Sequence, residues 1–348
     1  MKPHAVSTAV SEANLEIPLI DFSAFLTGDA ATKKSTAQAI LAGFQTAGFV
    51  YLSKHGVPED VLEKTFAESA KFFKRPRGEK DALAWTTPEA NRGYSQPGRE
   101  KVTDAETPEE IEAVRAKEGS DLKESLEIGK EGEPGMPNPW PRQDAAGIRF
   151  REQMLQFFDE CKILHINIMR AIAVGLNLEE KWFDRYCDAG DNTLRLLHYP
   201  EVPADVFRRR QEQQENDDNV VEQVRAGAHT DYGSITCLFQ DMAGGLQVKS
   251  PTGKFVNATP IEGTVVVNAG DLLARWSNDV IKSTVHRVVE PPTKSTVHPA
   301  RYTIPYFCHP NHDSIIDAIP GTFSAENPRK YSAVNCGEHL VKRLRATY

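Results

Sequence analysis

RAGAHTDYGSITCLFQD (residues 225–241) reads as a strand leaving a turn, with Ile235, Cys237, Leu238 and Phe239 in its second half, yet His229 and Asp231 stand at its head. Side chains alternate along a strand, so positions two apart share a face. On an interior face the pair would bury a charge beside an imidazole, which is costly unless something compensates. A bound metal ion compensates. H-x-D alone is a weak signal, because ten histidines make a chance occurrence roughly an even bet.

Its company strengthens it. STVHRVVE (283–290) carries His286 in mid-strand among β-branched residues, where a lone histidine needs a buried partner. Two histidines and one carboxylate with three open positions form the facial triad of non-haem Fe(II) oxygenases, so His229, Asp231 and His286 are the candidate metal ligands. In ARYTIPYF (300–307), alternation puts Arg301, Thr303, Pro305 and Phe307 on one face. A guanidinium beside a hydroxyl makes a carboxylate clamp, or else a surface ion pair. TLRLLHYP (193–200) aligns Arg195, Leu197 and Tyr199 in the same way. If that face is interior, Arg195 must meet either an acid or a ligand. Phe307 by alternation and Tyr232 by adjacency to Asp231 offer two aromatic plates for a flat ring, or ordinary core residues. With Arg195 as donor, they suit a planar, carbonyl-rich molecule.

The 348 residues carry a net charge of −8, with 40% hydrophobic and 26% charged residues. That is globular, and it disfavours nucleic acid or an anionic membrane as partner. A small-molecule substrate is expected. Five scattered cysteines with no C-x-x-C suggest neither a disulfide framework nor a zinc ribbon. With no apolar signal core and no spanning segment, a cytoplasmic location is the default expectation.

Along the chain, helical spacing is expected over 35–48, 58–76 and 145–179, and charged or polar excursions at 98–123 and 207–224. From 193 onward, short β-like runs alternate with Gly, Pro and Asn. The expected fold is mainly β with helical flanks. The expected division is an N-terminal extension (1–16), an N-terminal region (17–145), supporting helices (146–190), a β core (191–312) and a helical tail (313–348).

H-T-D (229–231), V-N-A-G-D (267–271), K-S-T-V-H-R-V (282–288) and R-Y-T (301–303) together resemble the iron(II)- and 2-oxoglutarate-dependent dioxygenases, isopenicillin N synthase-like branch. RGYSQPG (92–98), DLKESLEIG (121–129) and NPWP (138–141) extend the resemblance to about 17–345. It implies a double-stranded β-helix (jelly roll) core with Fe(II), 2-oxoglutarate as co-substrate and dioxygen. By position, Arg301, Thr303 and Tyr199 would hold 2-oxoglutarate, while Arg195, Tyr232 and Phe307 would hold substrate. Thr303 stands where serine is usual, and Leu197 where many plant relatives have asparagine. WTTPEANRGYSQPGREKV (85–102) and DNTLRLLHYPEV (191–202) look most like a fungal group that hydroxylates the thymine methyl group. The alternatives are a fungal secondary-metabolite oxygenase and an iron oxidase that works without 2-oxoglutarate.

Overall fold

The computed structural model describes residues 6–98, 121–203, 225–290 and 295–347. The excursions expected at 98–123 and 207–224 fall, over 99–120 and 207–224, outside the described residues. The first strands are Ser7–Glu12 (β1), Leu15–Asp21 (β2), Phe49–Ser53 (β3), Gly93–Ser95 (β4), Glu124–Gly129 (β5) and Thr193–Tyr199 (β6). Val202–Pro203 (β7), Ala226–His229 (β8), Ile235–Gln240 (β9), Leu246–Lys249 (β10), Phe255–Asn257 (β11) and Thr264–Ala269 (β12) follow. His286–Val288 (β13), Val297–His298 (β14), Arg301–Cys308 (β15), Ile315–Ile316 (β16) and Val334–Asn335 (β17) complete the set.

Nine of these strands form one sheet in the order β1-β2-β3-β12-β9-β15-β6-β5-β4, and four form a second, β11-β10-β13-β8. All pairings in the two sheets are antiparallel except β2 with β3. This is a jelly-roll core braced by helices.

The middle strands of the large sheet are buried on both sides, and strand alternation divides their work. Leu194, Leu196, Ile235, Cys237, Phe239, Val265, Val267, Ile304 and Tyr306 join the core shared with the helix Ala145–Gly175, through Phe150, Met154, Phe157, Cys161 and Ile168. The helices Ala30–Thr46 and Glu59–Phe73 pack on that long helix in turn. Asp144 caps its start, accepting from the amides of Ala146 and Gly147, and Asp29 caps Ala30–Thr46 by accepting from Thr32. The intervening residues of the same strands, Arg195, Leu197, Tyr199, Thr236, Asn268, Arg301, Thr303 and Phe307, face the opposite way, into a cavity.

Three local readings change. Ser7–Glu12, assigned from sequence to an extension, pairs with β2 through a two-residue turn in which Ala13 and Asn14 both have positive φ (50° and 63°). The segment after 312 is turns and the short β16–β17 pairing until a helix begins at Cys336 and runs to Thr347. His229 and Asp231 do not share a strand face: His229 ends β8, and Asp231 lies in the turn that carries the chain across to β9 in the other sheet.

His165 is fully buried on the long helix, and both its ring nitrogens lack a hydrogen-bond partner among the described residues. Burial, and secondarily Lys162, pull its pKa down to about 3. Below its unfolded value of 6.5, the unfolded chain takes up a proton that the folded chain refuses, so stability falls as pH drops from 6.5 toward 3. His165→Leu removes that proton linkage. Denaturant titrations at pH 7 and pH 5 should therefore show the variant losing about 2 kcal/mol less than the parent. Equal losses would mean that His165 does not titrate in this way.

Candidate active site

The turn from β8 to β9 is held by the end of β12 and the segment that follows it. Asn268 Nδ2 donates to Asp231 Oδ2 at 2.7 Å, and Thr236 Oγ1 donates to the same oxygen at 2.5 Å. The Asp271 amide donates to the Asp231 carbonyl at 2.7 Å, and Thr230 Oγ1 donates to Asp271 Oδ2 at 3.0 Å. Gly270 makes this approach feasible: a Cβ there would lie 2.4 Å from the Gly233 carbonyl oxygen and 2.8 Å from that of Asp231. V-N-A-G-D thus serves the aspartate of H-T-D.

β13 and β8 are neighbours, with His286 opposite His229. Their ring centroids are 4.4 Å apart, and His286 Nε2 lies 3.9 Å from Asp231 Oδ1. One ligand atom from each of His229, Asp231 and His286 falls within 4.8 Å of the others. His229 Nδ1 sits 2.7 Å from the Gly227 carbonyl and His286 Nδ1 3.2 Å from that of Thr284. A carbonyl only accepts, so each ring carries its proton on Nδ1 and keeps the Nε2 lone pair for a ligand. Burial, then His286, lowers the His229 pKa to about 4. Burial alone would raise Asp231, but the two histidines with Asn268 and Thr236 outweigh it and hold the carboxyl below its usual range. Two imidazoles that present Nε2 and an ionised carboxylate with one oxygen left for coordination fit Fe(II).

Along the same cavity, Arg301 is 1% exposed, opposite Tyr199 in the β15–β6 register. Its guanidinium stands 4.9 Å from the Tyr199 ring, and Nη2 reaches Gln240 Oε1 at 3.4 Å. Nε and Nη1 have no hydrogen-bond partner among the described residues. Burial lowers its pKa, although Tyr199 and Asp241 work in the other direction. Leaving a buried donor unmade costs about 1–3 kcal/mol, and more when it is charged, so this guanidinium is built for an anion. Thr303, 1% exposed, lies on the same wall. Leu197 does too, packed with Tyr199, Ala226 and Val288.

Arg195, Tyr232 and Phe307 line the same cavity of about 350 Å³. Arg195 sits 5.1 Å from the Phe307 ring centroid, and it meets the acid that the sequence left unnamed: Nε lies 2.7 Å from Glu127 Oε1. Tyr232 carries Arg343 of the C-terminal helix over its ring at 4.6 Å. Leu340, Val341 and Leu344 of that helix also wall the cavity, which sequence periodicity gave no reason to expect. Asn91 and Arg92 reach it as well, with Asn91 accepting from Trp85 Nε1 at 3.2 Å and Arg92 pairing with Glu133 at 2.9 Å. A second acidic cluster, Glu133, Asp191 and His312, is already matched by Arg92 and Lys130. His198 points away from the cavity, to Glu124 at 2.8 Å and a stacked Tyr302 at 4.7 Å.

Comparison with known proteins fits this geometry. Residues 17–143 match the family described as non-haem dioxygenase in morphine synthesis N-terminal, and residues 190–310 match the 2OG-Fe(II) oxygenase superfamily. A 2-oxoglutarate-Fe(II) type oxidoreductase, ppzD, of Metarhizium rileyi is 32% identical over 94% of this chain and 90% of its own length. The full-length thymine 7-hydroxylase of Neurospora crassa, solved with alpha-KG, is 59% identical, covering 98% of this chain and 100% of that one with a TM-score of 0.89. The same protein solved with alpha-KG and thymine is 60% identical over 98% and 100%, with a TM-score of 0.88. This chain belongs to the 2OG-Fe(II) oxygenase superfamily. It is an oxidoreductase of the dioxygenase class, requiring Fe(II), 2-oxoglutarate and dioxygen.

Two substitutions probe the site separately. Asp231→Ala should lower Fe(II) affinity by at least about 100-fold in equilibrium dialysis and abolish turnover, since ligand loss exceeds the usual effect of outer partners. Unchanged iron binding would reject the triad. Arg301→Ala should weaken 2-oxoglutarate binding by about 3 kcal/mol, roughly 100-fold in Kd by calorimetry, with iron stoichiometry kept. An unchanged Kd would move the clamp elsewhere.

Proposed function

We propose that this enzyme hydroxylates the methyl group of thymine, or of a closely similar planar pyrimidine, while converting 2-oxoglutarate and dioxygen to succinate and CO2. In this reading His229, Asp231 and His286 hold Fe(II), Arg301 with Thr303 and Tyr199 grips the distal carboxylate of 2-oxoglutarate, and Arg195 donates to a pyrimidine carbonyl between Tyr232 and Phe307. The observation that carries it is the buried, under-bonded guanidinium of Arg301 on the cavity that also holds the His–Asp–His cluster. The likeness to the Neurospora crassa enzyme solved with thymine supports the choice of substrate.

Bound Fe(II) would supply the redox chemistry that splits dioxygen between the decarboxylating co-substrate and the substrate C–H bond. The chain itself contributes orientation and dryness. The Nδ1 hydrogen bonds to the Gly227 and Thr284 carbonyls fix the imidazole planes before metal arrives. Thr236 and Asn268 occupy one oxygen of Asp231 and so aim the other at the metal position. The aromatic plates and Arg195 set which carbon of the ring is presented, and a near-attack position is worth several kcal/mol of barrier. The apolar wall of Leu197, Ala226 and Val288 limits water.

A second reading, a secondary-metabolite oxygenase, is favoured by curated relatives such as the proline hydroxylase buaE of Petromyces alliaceus, 31% identical over 96% of this chain. Succinate release by the Fe(II)-loaded enzyme with and without thymine, with mass analysis of the pyrimidine, separates the two. Thymine-stimulated succinate and a product one oxygen heavier are expected. Succinate formation that thymine leaves unstimulated would discard the pyrimidine reading in favour of the second.

A further inference from the structure

We infer that Glu127 is a positioning and specificity residue: by pairing with Arg195 from the neighbouring strand, on the same sheet face but outside the cavity lining, it makes the substrate end accept a neutral carbonyl in preference to an anion. The inference rests on the proposed substrate role of Arg195.

The register of β5 on β6 sets Glu127 directly opposite Arg195. Glu127 is fully buried; its Oε1 accepts from Ser125 Oγ at 2.8 Å and lies 2.7 Å from Arg195 Nε as an ion pair. Ser125, two residues earlier, shares the face of Glu127, so the hydroxyl and the guanidinium hold one carboxylate oxygen from two sides. Arg195 lines the cavity, but neither Glu127 nor Ser125 does. The carboxylate therefore touches no ligand directly and acts only through Arg195.

Of the three arginines that line the cavity, Arg195 and Arg301 differ in one respect that decides what each can bind. Arg301 forms no ion pair among the described residues, and its contact is the neutral amide of Gln240. An anion arriving there supplies the missing countercharge. Arg195 already has its countercharge, buried where solvent screens it little. A second carboxylate at Arg195 would sit close to Glu127 and repel it, whereas a neutral carbonyl accepts a hydrogen bond and adds no charge. Glu127 thus divides the cavity into an end for the acidic co-substrate and an end for a neutral ring. It also keeps 2-oxoglutarate from settling at the wrong arginine. The fixed ion pair holds the guanidinium plane against Phe307, which a long flexible side chain alone would not do.

The test uses a matched pair of planar probes, nicotinamide and nicotinate, which differ by a neutral amide against a carboxylate. Their dissociation constants are measured by calorimetry on the Fe(II)- and 2-oxoglutarate-loaded enzyme. The parent should favour the amide, and Glu127→Gln should shift the ratio toward the carboxylate by at least about tenfold. Glu127→Asp, which keeps the charge, should leave the parent preference largely in place. In the same variants the KM for thymine should rise in E127Q more than kcat falls, with the Kd for 2-oxoglutarate unchanged. A merely structural role weakens both probes equally, and an unchanged ratio in E127Q overturns the inference. Should E127Q fail to fold, the parent enzyme itself decides: nicotinate binding as tightly as nicotinamide overturns the inference as well. If the parent does not turn over thymine, the pyrimidine reading fails on its own while the probe ratio still reports on Glu127.

Discussion

A buried carboxylate between two imidazoles is the constraint around which this molecule is organised. Asp231 is 7% exposed, and a charge so placed is costly unless it is both paired and hydrogen-bonded. Thr236, from the strand that follows, and Asn268, from the neighbouring strand, meet one of its oxygens. The histidines come from β8 and β13 of the smaller sheet. The aspartate is therefore the point at which the two sheets are tied together. The tie runs through the turn where the chain leaves one sheet for the other, and Gly270 allows the backbone of the next segment to close on it.

The large sheet gives that constraint a rigid setting. One face of β6, β9, β12 and β15 is apolar and locked to the helices, so the opposite residues cannot rotate away from the cavity without breaking the core. Polar groups with unmet donors, such as Arg301, persist because the same strands are over-determined from behind. Function occupies the face that alternation leaves available.

The cavity is completed by elements remote in sequence. The C-terminal helix lays Leu340, Val341 and Leu344 along one side, and Arg343 links it to Asp271 at 3.5 Å and to the Tyr232 ring. Arg345 meets Glu89 at 2.6 Å, so the helix also touches the segment 88–92 that lines the cavity. The Arg345–Glu89 pair is exposed and weak, while the Arg343–Asp271 pair is half-buried. Their effect is to connect the helix to the turn that bears Asp231. Among the described residues, no helix is long and apolar enough to cross a membrane.

How much of this was written in the chain depends on distance along it. Strand alternation in TLRLLHYP and ARYTIPYF picked out Arg195, Leu197, Tyr199, Arg301, Thr303 and Phe307, and all of them line one cavity, because a period of two is a local property of the backbone. The spacing of His229 and Asp231 was legible too, though its explanation was not: a turn between sheets, and no shared strand face, brings them together. Glu127 sits in DLKESLEIG as one acid among many, and only the register of β5 on β6 gives it Arg195 as partner. Likewise the cavity contacts of Asn91, Arg92, Leu340 and Val341 depend on chain segments that meet after folding. The sequence by itself determined which side chains share a face, since that follows from covalent geometry and pleat. The tertiary structure decided which faces confront each other and which charges are paired, since those depend on packing between residues far apart in the chain.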